Sequence, residues 1–268
     1  MELAGKRVLL SGATGGLGRA IAEQLAAEGA TLVLSSRKEP DLEELRRSLP
    51  GGAERHEAVV ADLAEEGAPE KLVRDAGDVD VLIANAALPA SGHLHNFSHS
   101  ELARAVRVNL EAPIRMTREL APKLLKKGEG HLVYISSLSG RAATARSSLY
   151  SATKFGLRGF AFGLREDLVP KGVGVSIVSP GFVREAGMFA DAGARTPPGM
   201  GTTTPRKVGR AVVQAIRRNR SEIAVAPRRQ RIIASWAGRH PEWAGRLTRR
   251  DSAHKIADEL AAGQADKR

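Results

Sequence analysis

Tyr150 and Lys154 stand four residues apart, thirteen residues after Ser137 and far downstream of the run Ser11-Gly12-Ala13-Thr14-Gly15-Gly16-Leu17-Gly18. Residues at i and i+4 share a helix face, so the lysine ammonium can sit beside the phenol and stabilise its deprotonated form. The glycine run follows the apolar stretch Val8-Leu9-Leu10 and precedes the helical pattern Ala20-Ile21-Ala22-Glu23-Gln24-Leu25. That is the strand-to-helix turn at which bare backbone N–H groups hold a dinucleotide pyrophosphate. Alone, a Tyr-x-x-x-Lys is a weak motif and a glycine-rich loop need hold no ligand. Their order and spacing together read as a hydride-transfer site. No Gly-Lys-Ser/Thr follows the loop, which argues against a phosphate-binding P-loop.

The end of the second apolar run bears on which dinucleotide is used. An Asp or Glu about 20 residues after the glycine loop ordinarily holds a ribose 2′-hydroxyl, but here the sequence reads Leu34-Ser35-Ser36-Arg37. A hydroxyl and a guanidinium suit a 2′-phosphate instead, so NADP(H) is expected over NAD(H) through Ser36 and Arg37. The alternative is a solvated loop arginine.

These groups need a scaffold. Short apolar runs at Val8–Leu10, Thr31–Leu34, Ala58–Ala61, Val79–Ala84, His131–Ile135, Val173–Val178 and Glu222–Val225 alternate with longer helical patterns. Strands apolar throughout, rather than alternating, predict an α/β fold: a doubly wound parallel sheet of about seven strands with helices on both faces. Ser98 and Glu101 form a capping box flanked by Phe97 and Leu102, so a helix should begin there and run towards Lys126, interrupted at Pro113. Having no N–H, Pro113 leaves the carbonyl of Asn109 free to accept from something else. The helix carrying Tyr150 should end near Pro170.

Over residues 5 to 227 the chain resembles the short-chain dehydrogenase/reductase family in its single-domain branch. The ordered motifs are the Ser11-Gly12 to Gly18 loop, Asp62-Leu63, Asn85-Ala86-Ala87, Asn109, Ser137, Tyr150, Lys154 and Pro180-Gly181. The resemblance implies a Rossmann-type fold and a catalytic set of Asn109, Ser137, Tyr150 and Lys154. It also implies cofactor contacts from Gly12, Thr14, Gly16, Leu17, Gly18, Leu63, Asn85, Pro180, Gly181 and Val183, from Tyr150 and Lys154, and from Asp62 near the adenine. Tyr150 would be the general acid in carbonyl reduction or the base in alcohol oxidation. Its ordinary pKa near 10 then demands help from Lys154 and from the oxidised nicotinamide. Ser137 would donate to the substrate oxygen, and the Asn109 carbonyl would hold a water beside Lys154. The family is commonly dimeric or tetrameric, so a homodimer or homotetramer is expected. The chain departs from the family pattern at Ser11, Ala84, Ala87 and Glu185, the last standing where a threonine commonly contacts the nicotinamide carboxamide.

Composition narrows the rest. At 268 residues without a cysteine, one large domain in a reducing cytoplasm is the expectation, with no signal peptide and no run long enough to span a membrane. The net charge of +11 is local: Arg206 to Arg250 holds 13 Lys/Arg against 2 Asp/Glu, and the remainder holds 28 of each. With few aromatic residues for base stacking, this points away from nucleic acid. His93, His95 and His99 lack acidic or cysteine companions, so no metal site is expected. Met188, Phe189 and Met200 lie in a segment that reads as a substrate lid, where they either line an apolar pocket or pack on the body.

The chain divides into a dinucleotide-binding and catalytic domain, 1–228, and a basic helical extension, 229–268. In the extension Ile232, Ile233, Trp236, Trp243 and Leu247 fall at helical spacings among Arg229, Arg231, Arg239, Arg246, Arg249 and Arg250, giving two short amphipathic helices parted at His240-Pro241. Packing on the body or a second subunit is favoured over an anionic membrane surface. The functional expectation is an NADP(H)-dependent oxidoreductase acting on a small-molecule ketone or secondary alcohol. A non-catalytic dinucleotide-binding scaffold and a protein acting through its basic tail are the alternatives.

Overall fold

Seven parallel strands pair in the order β3-β2-β1-β4-β5-β6-β7. They are β1 (Arg7–Ser11), β2 (Thr31–Ser36), β3 (Glu57–Val60), β4 (Val81–Ala84), β5 (Gly130–Ile135), β6 (Val173–Pro180) and β7 (Glu222–Val225). The computed structural model describes residues 1–197, 199–248 and 251–264. In chain order the helices are α1 (Gly16–Ala27), α2 (Glu39–Ser48), α3 (Gly52–Arg55), α4 (Ala68–Asp75), α5 (His99–Val106), α6 (Ala112–Lys127), α7 (Ser148–Leu168), α8 (Met188–Asp191), α9 (Pro205–Arg217), α10 (Arg228–Arg239), α11 (Pro241–Thr248) and α12 (Asp251–Ala262).

The central strands β1, β4, β5 and β6 are buried almost throughout because both faces are covered, while the edge strand β3 is open to solvent. Val8 and Leu10 of β1 join a core with Ile21 and Leu25 of α1 and Val212 and Ile216 of α9. Leu9, one residue away and facing the other side, joins a second core with Val73 of α4, Met116 of α6 and Leu157 of α7. This is the doubly wound Rossmann-type fold predicted from the alternation of apolar runs. The chain leaves β1 towards β2 and β3, then crosses back to β4 on the other side of β1. The crevice beyond the ends of β1 and β4 is therefore the topological switch point where such sheets bind ligands.

Local punctuation explains the placement of the catalytic helices. The Ser98 hydroxyl accepts from the Glu101 N–H at 3.2 Å, and the Glu101 carboxylate accepts from the Ser98 N–H at 2.7 Å, closing the capping box that starts α5. The interruption expected at Pro113 is instead one widened π-helical turn over Arg107–Glu111, in which Ala112 N donates five residues back to the Arg107 carbonyl. Helical geometry resumes at once because a proline is tolerated in the first turn of the following helix, α6. Helix α7 ends two residues before Pro170, and Gly172, at φ +86°, turns the chain into β6.

The basic extension forms α10 and α11, parted at His240-Pro241, and a third helix, α12, that periodicity did not reveal. Arg249, Arg250 and the side chain of Leu247 lie outside the described residues.

Candidate active site

The glycine loop turns where side chains cannot fit. Gly12 sits at φ +65°, and a Cβ there would come within 2.7 Å of Ala86 Cα and 3.0 Å of Asn85 Nδ2. A Cβ on Gly18 would run into the carbonyl oxygens of Gly12 and Ala13, so the start of α1 can lie against the loop only as glycine. Asn85, just beyond β4, donates from Nδ2 to the Ser11 and Gly12 carbonyls at 3.1 and 2.9 Å. The Ser11 hydroxyl accepts from the N–H groups of Asn85 and Ala86 at 3.1 and 3.2 Å. The end of β4 thus braces the loop. Gly15, the residue before α1, provides no side-chain cap, leaving first-turn N–H groups for a ligand. Thr14 is half-buried in this turn, and Leu17 and Gly16 lie against the segment around Gly187 and Ala186.

At the other end of the crevice Ser36 closes β2. Its hydroxyl is buried and has no hydrogen-bond partner, an unfavourable state for a polar atom unless a ligand completes it. Arg37 follows and is exposed. Asp62 accepts from the Ala64 N–H at 2.9 Å and stands 3.9 Å from the Arg104 guanidinium, while Leu63 is buried in the second core.

Ser137, Tyr150 and Lys154 converge where β5 ends. Ser137 is extended, its hydroxyl accepting from the Ser139 N–H at 3.1 Å. Lys154 is 2% exposed; its Nζ donates to the Ile135 carbonyl at 3.0 Å and lies 5.7 Å from the centre of the Tyr150 ring. Burial pushes the Lys154 ammonium down to about 8. Burial pushes the Tyr150 phenol up to about 12, and the Ser137 hydroxyl, which can donate to the phenolate, offsets part of that. Asn109 is buried in the π-helical turn. Its amide is spoken for, with Oδ1 accepting from Leu88 N at 2.6 Å and Nδ2 donating to Leu88 O at 2.9 Å. Pro113, lacking an N–H, cannot donate to the Asn109 main-chain carbonyl four residues back.

Ser137, Tyr150 and Lys154 line a cavity of 610 Å³ whose remaining wall is mostly apolar, with Thr144, Arg146, Gln230 and Gln264 among its polar members. Leu17, Asn85, Pro180, Gly181 and Val183 line it near the glycine loop. Met188, Phe189 and Met200 also face it, with the Phe182 and Phe189 rings 4.8 Å apart. The far wall comes from the extension: Ile233, Ala234 and Ala237 of α10, Ala244 of α11, and Ile256, Ala257 and Leu260 of α12.

Sequence reasoning missed how the extension is tied to this site. Gln230 is buried; its Oε1 accepts from Phe182 N at 3.3 Å, and its Nε2 donates to the carbonyls of Met200 and Gly201 at 3.0 and 2.7 Å. One amide therefore holds both ends of the lid. Helix α12 is fastened by Arg146–Asp258 at 2.6 Å and by Arg195–Glu259. Gln264 Nε2 donates to the Met188 carbonyl at 3.3 Å, while its Oε1 is buried at the cavity wall without a partner. A glutamine among arginines carries no local signal for such a role. By contrast Ile232, Trp236 and Trp243 keep 57%, 39% and 60% of their surface exposed.

Glu185, the departure of most concern, adopts a left-handed φ of +77°. Its carboxylate turns outward to Arg184 at 2.9 Å, and both side chains are exposed. The acid is thereby kept out of the crevice, while Val183 stays buried and forms a bridge with Thr203.

The family model described as short chain dehydrogenase matches residues 6–196. A ketoacyl reductase, HetN, of Nostoc sp. is 37% identical over 227 residues, which are 83% of this chain and 79% of that protein. Among solved structures, a short-chain dehydrogenase from Streptomyces avermitilis superposes with a TM-score of 0.77 at 26% identity, covering 95% of this chain and 99% of that one. A short-chain dehydrogenase from Sphingobium yanoikuyae in complex with NADPH gives a TM-score of 0.75 at 27% identity over 88% of this chain and 96% of that one. With the glycine loop, the Ser137, Tyr150 and Lys154 cluster and the strand order all in place, the chain belongs to the short-chain dehydrogenase family of oxidoreductases.

Proposed function

We propose that this enzyme is an NADP(H)-dependent oxidoreductase that interconverts an apolar ketone, of the ketoacyl kind, and the corresponding secondary alcohol. The observation that carries the reading is the cavity: a mostly apolar space of 610 Å³ that the Ser137, Tyr150 and Lys154 side chains share with Met188, Phe189, Ile233, Ile256 and Leu260. A carbonyl at that end accepts a hydrogen bond from Ser137, and Tyr150 hands its proton to the carbonyl oxygen as the carbon is reduced. The bound nicotinamide supplies the hydride in reduction and takes it in oxidation. Lys154 holds positive charge beside the tyrosine and would donate to the nicotinamide ribose, and the Asn109 carbonyl would hold a water through which the proton is replaced.

The residues present fit a dinucleotide. The crowded glycine positions at Gly12 and Gly18 support close approach of a pyrophosphate, with Thr14, Gly16 and Leu17 beside it. Asn85 and Asp62 would lie along the dinucleotide, and Pro180, Gly181 and Val183, which line the cavity, would hold its nicotinamide end. The unpartnered Ser36 hydroxyl beside exposed Arg37 supports a 2′-phosphate there. A charge-assisted guanidinium–phosphate pair contributes about 1.5–3 kcal/mol, or roughly ten- to hundredfold. Arg37→Ala is therefore expected to weaken NADPH binding by about that factor and NADH binding little, measured by titrating both cofactors. Equal NADPH affinity in the two proteins would make Arg37 a solvated surface residue.

Substrate class is tested by following NADPH depletion with 3-ketoacyl thioesters of increasing chain length. Each methylene buried is worth about 0.8 kcal/mol, so kcat/KM should rise about fourfold per carbon until the cavity is full. A flat series would sink the apolar-substrate reading. A cytoplasmic location and a homodimeric or homotetrameric assembly rest on the cysteine-free composition and on family habit. Analytical ultracentrifugation tests the second.

A further inference from the structure

Helix α10 presents two unlike faces. Gln230 and Ala234 are buried against the lid and the cavity, while Ile232, Ile233 and Trp236 are 57%, 40% and 39% exposed. Trp243 on the adjoining α11 is 60% exposed. The spacing of Arg229, Ile232, Ile233, Trp236 and Arg239 places them on one side of α10. Four large apolar side chains exposed on two adjoining short helices mark a surface that something covers.

The surrounding charge identifies the cover. On α10 and α11 Arg229, Arg239 and Arg246 are exposed beside the apolar side chains, with Glu242 the one carboxylate on either helix, and Lys207, Arg210 and Arg231 are exposed nearby in sequence or fold; among the described residues none of these cations is ion-paired with a carboxylate. Arg217, at the other end of α9, bridges Glu2 and Glu28. Lys207, Arg210 and Arg231 converge on a second cavity, of 500 Å³, and the Arg246 guanidinium lies 5.1 Å from the centre of the Trp243 ring. A second copy docked here through a two-fold axis would set this unpaired positive face against itself. Tryptophans and isoleucines among arginines are instead the composition of a helix lying in the headgroup layer of an anionic bilayer. Among the described residues no helix is long and apolar enough to cross a membrane, so the contact is one of surface seating.

We propose that α10 and α11 seat the protein on an anionic phospholipid surface, with Ile232, Trp236 and Trp243 entering the headgroup layer and the arginines on lipid phosphates. Ile233 is shared between this face and the substrate cavity, so the seated face lies directly outside the cavity wall. The docking itself stands whether or not the ketoacyl reading of the cavity does.

The chain supplies its own probe, because Trp236 and Trp243 are its two tryptophans. Full-length protein is mixed with vesicles of phosphatidylglycerol and phosphatidylcholine, or of phosphatidylcholine alone, and read by co-sedimentation and tryptophan emission. The expected result is binding to the anionic vesicles, with emission shifted to shorter wavelength, and little binding to the neutral ones. Each basic residue near such a surface is worth about 1 kcal/mol, so the double variant Arg239→Gln/Arg246→Gln should bind roughly thirtyfold more weakly. Trp236→Ser/Trp243→Ser should also weaken co-sedimentation, in a protein that still melts cooperatively because neither ring belongs to the hydrophobic cores of the sheet. Protein that stays in the supernatant with anionic vesicles at low salt overturns the proposal. So does sedimentation without an emission shift, which leaves non-specific charge attraction. A wild-type dimer that the tryptophan double variant cannot form would assign the face to a second copy.

Discussion

Tyr150→Phe is expected to lower turnover by between about a hundred- and ten-thousandfold, the range for loss of a general acid, while NADPH affinity stays near that of the wild type. The change deletes one hydroxyl from a ring lying 5.7 Å from the Lys154 ammonium and leaves the glycine loop untouched. In the cofactor-free protein burial holds the phenol up to about 12, so Tyr150 is a proton donor throughout the working range. The more sensitive partner is Lys154, brought down to about 8 by burial. Its positive charge is present below that pH and is lost above it. The kcat/KM for carbonyl reduction should therefore fall as pH rises through about 8, well before Tyr150 itself ionises. NADPH depletion on a confirmed ketone, run with Tyr150→Phe and across pH, tests both statements. Lys154→Ala should impair turnover and cofactor binding together. Near wild-type rates in Tyr150→Phe would remove Tyr150 from the chemistry.

What could be read beforehand was whatever the chain specifies locally. Leu9 packs on one face of the sheet and Val8 and Leu10 on the other, so an unbroken apolar run was the right signal for a doubly covered strand. Ser98 and Glu101 lie three residues apart and close their box without help from the rest of the fold. Pro113 signalled a disturbed helix, but only the tertiary setting decided that it would be a single widened turn holding Asn109 rather than a break. The far wall of the cavity was not legible for the opposite reason. Beside Ile233, Ile256 and Leu260 it is built from small side chains, Ala234, Ala237, Ala244 and Ala257, and held by ion pairs between residues distant in sequence, Arg146 with Asp258 and Arg195 with Glu259. Neither leaves a periodic trace. The unpartnered hydroxyl of Ser36 belongs between the cases: Leu34-Ser35-Ser36-Arg37 lacks the acid expected for a ribose hydroxyl, but only burial distinguishes a waiting group from a solvated one.

Removing residues 229–268 is expected to leave NADPH binding within a fewfold of wild type and to cripple turnover of apolar substrates. The glycine loop, Ser36, Arg37 and Asn85 all precede the cut, and Asn85 braces the loop from β4 alone. The cavity, by contrast, loses one side, because Ile233, Ala237, Ile256 and Leu260 leave with the extension. Gln230 leaves too, freeing Phe182 at one end of the lid and Met200 and Gly201 at the other. Uncovering on the order of 120–150 Å² of substrate at about 25 cal/mol per Å² forfeits about 3–4 kcal/mol, or between roughly a hundredfold and several hundredfold in kcat/KM. Cutting only before α12 should act in the same direction more weakly, since the Gln230 bonds and the α10 wall remain. Cofactor titration and steady-state kinetics on the two truncated proteins, each checked for a cooperative melt, separate the cases. Loss of NADPH binding in a folded truncation would make the extension part of the dinucleotide site. An unchanged kcat/KM would show that apolar substrates bind elsewhere than in the cavity that α10, α11 and α12 enclose.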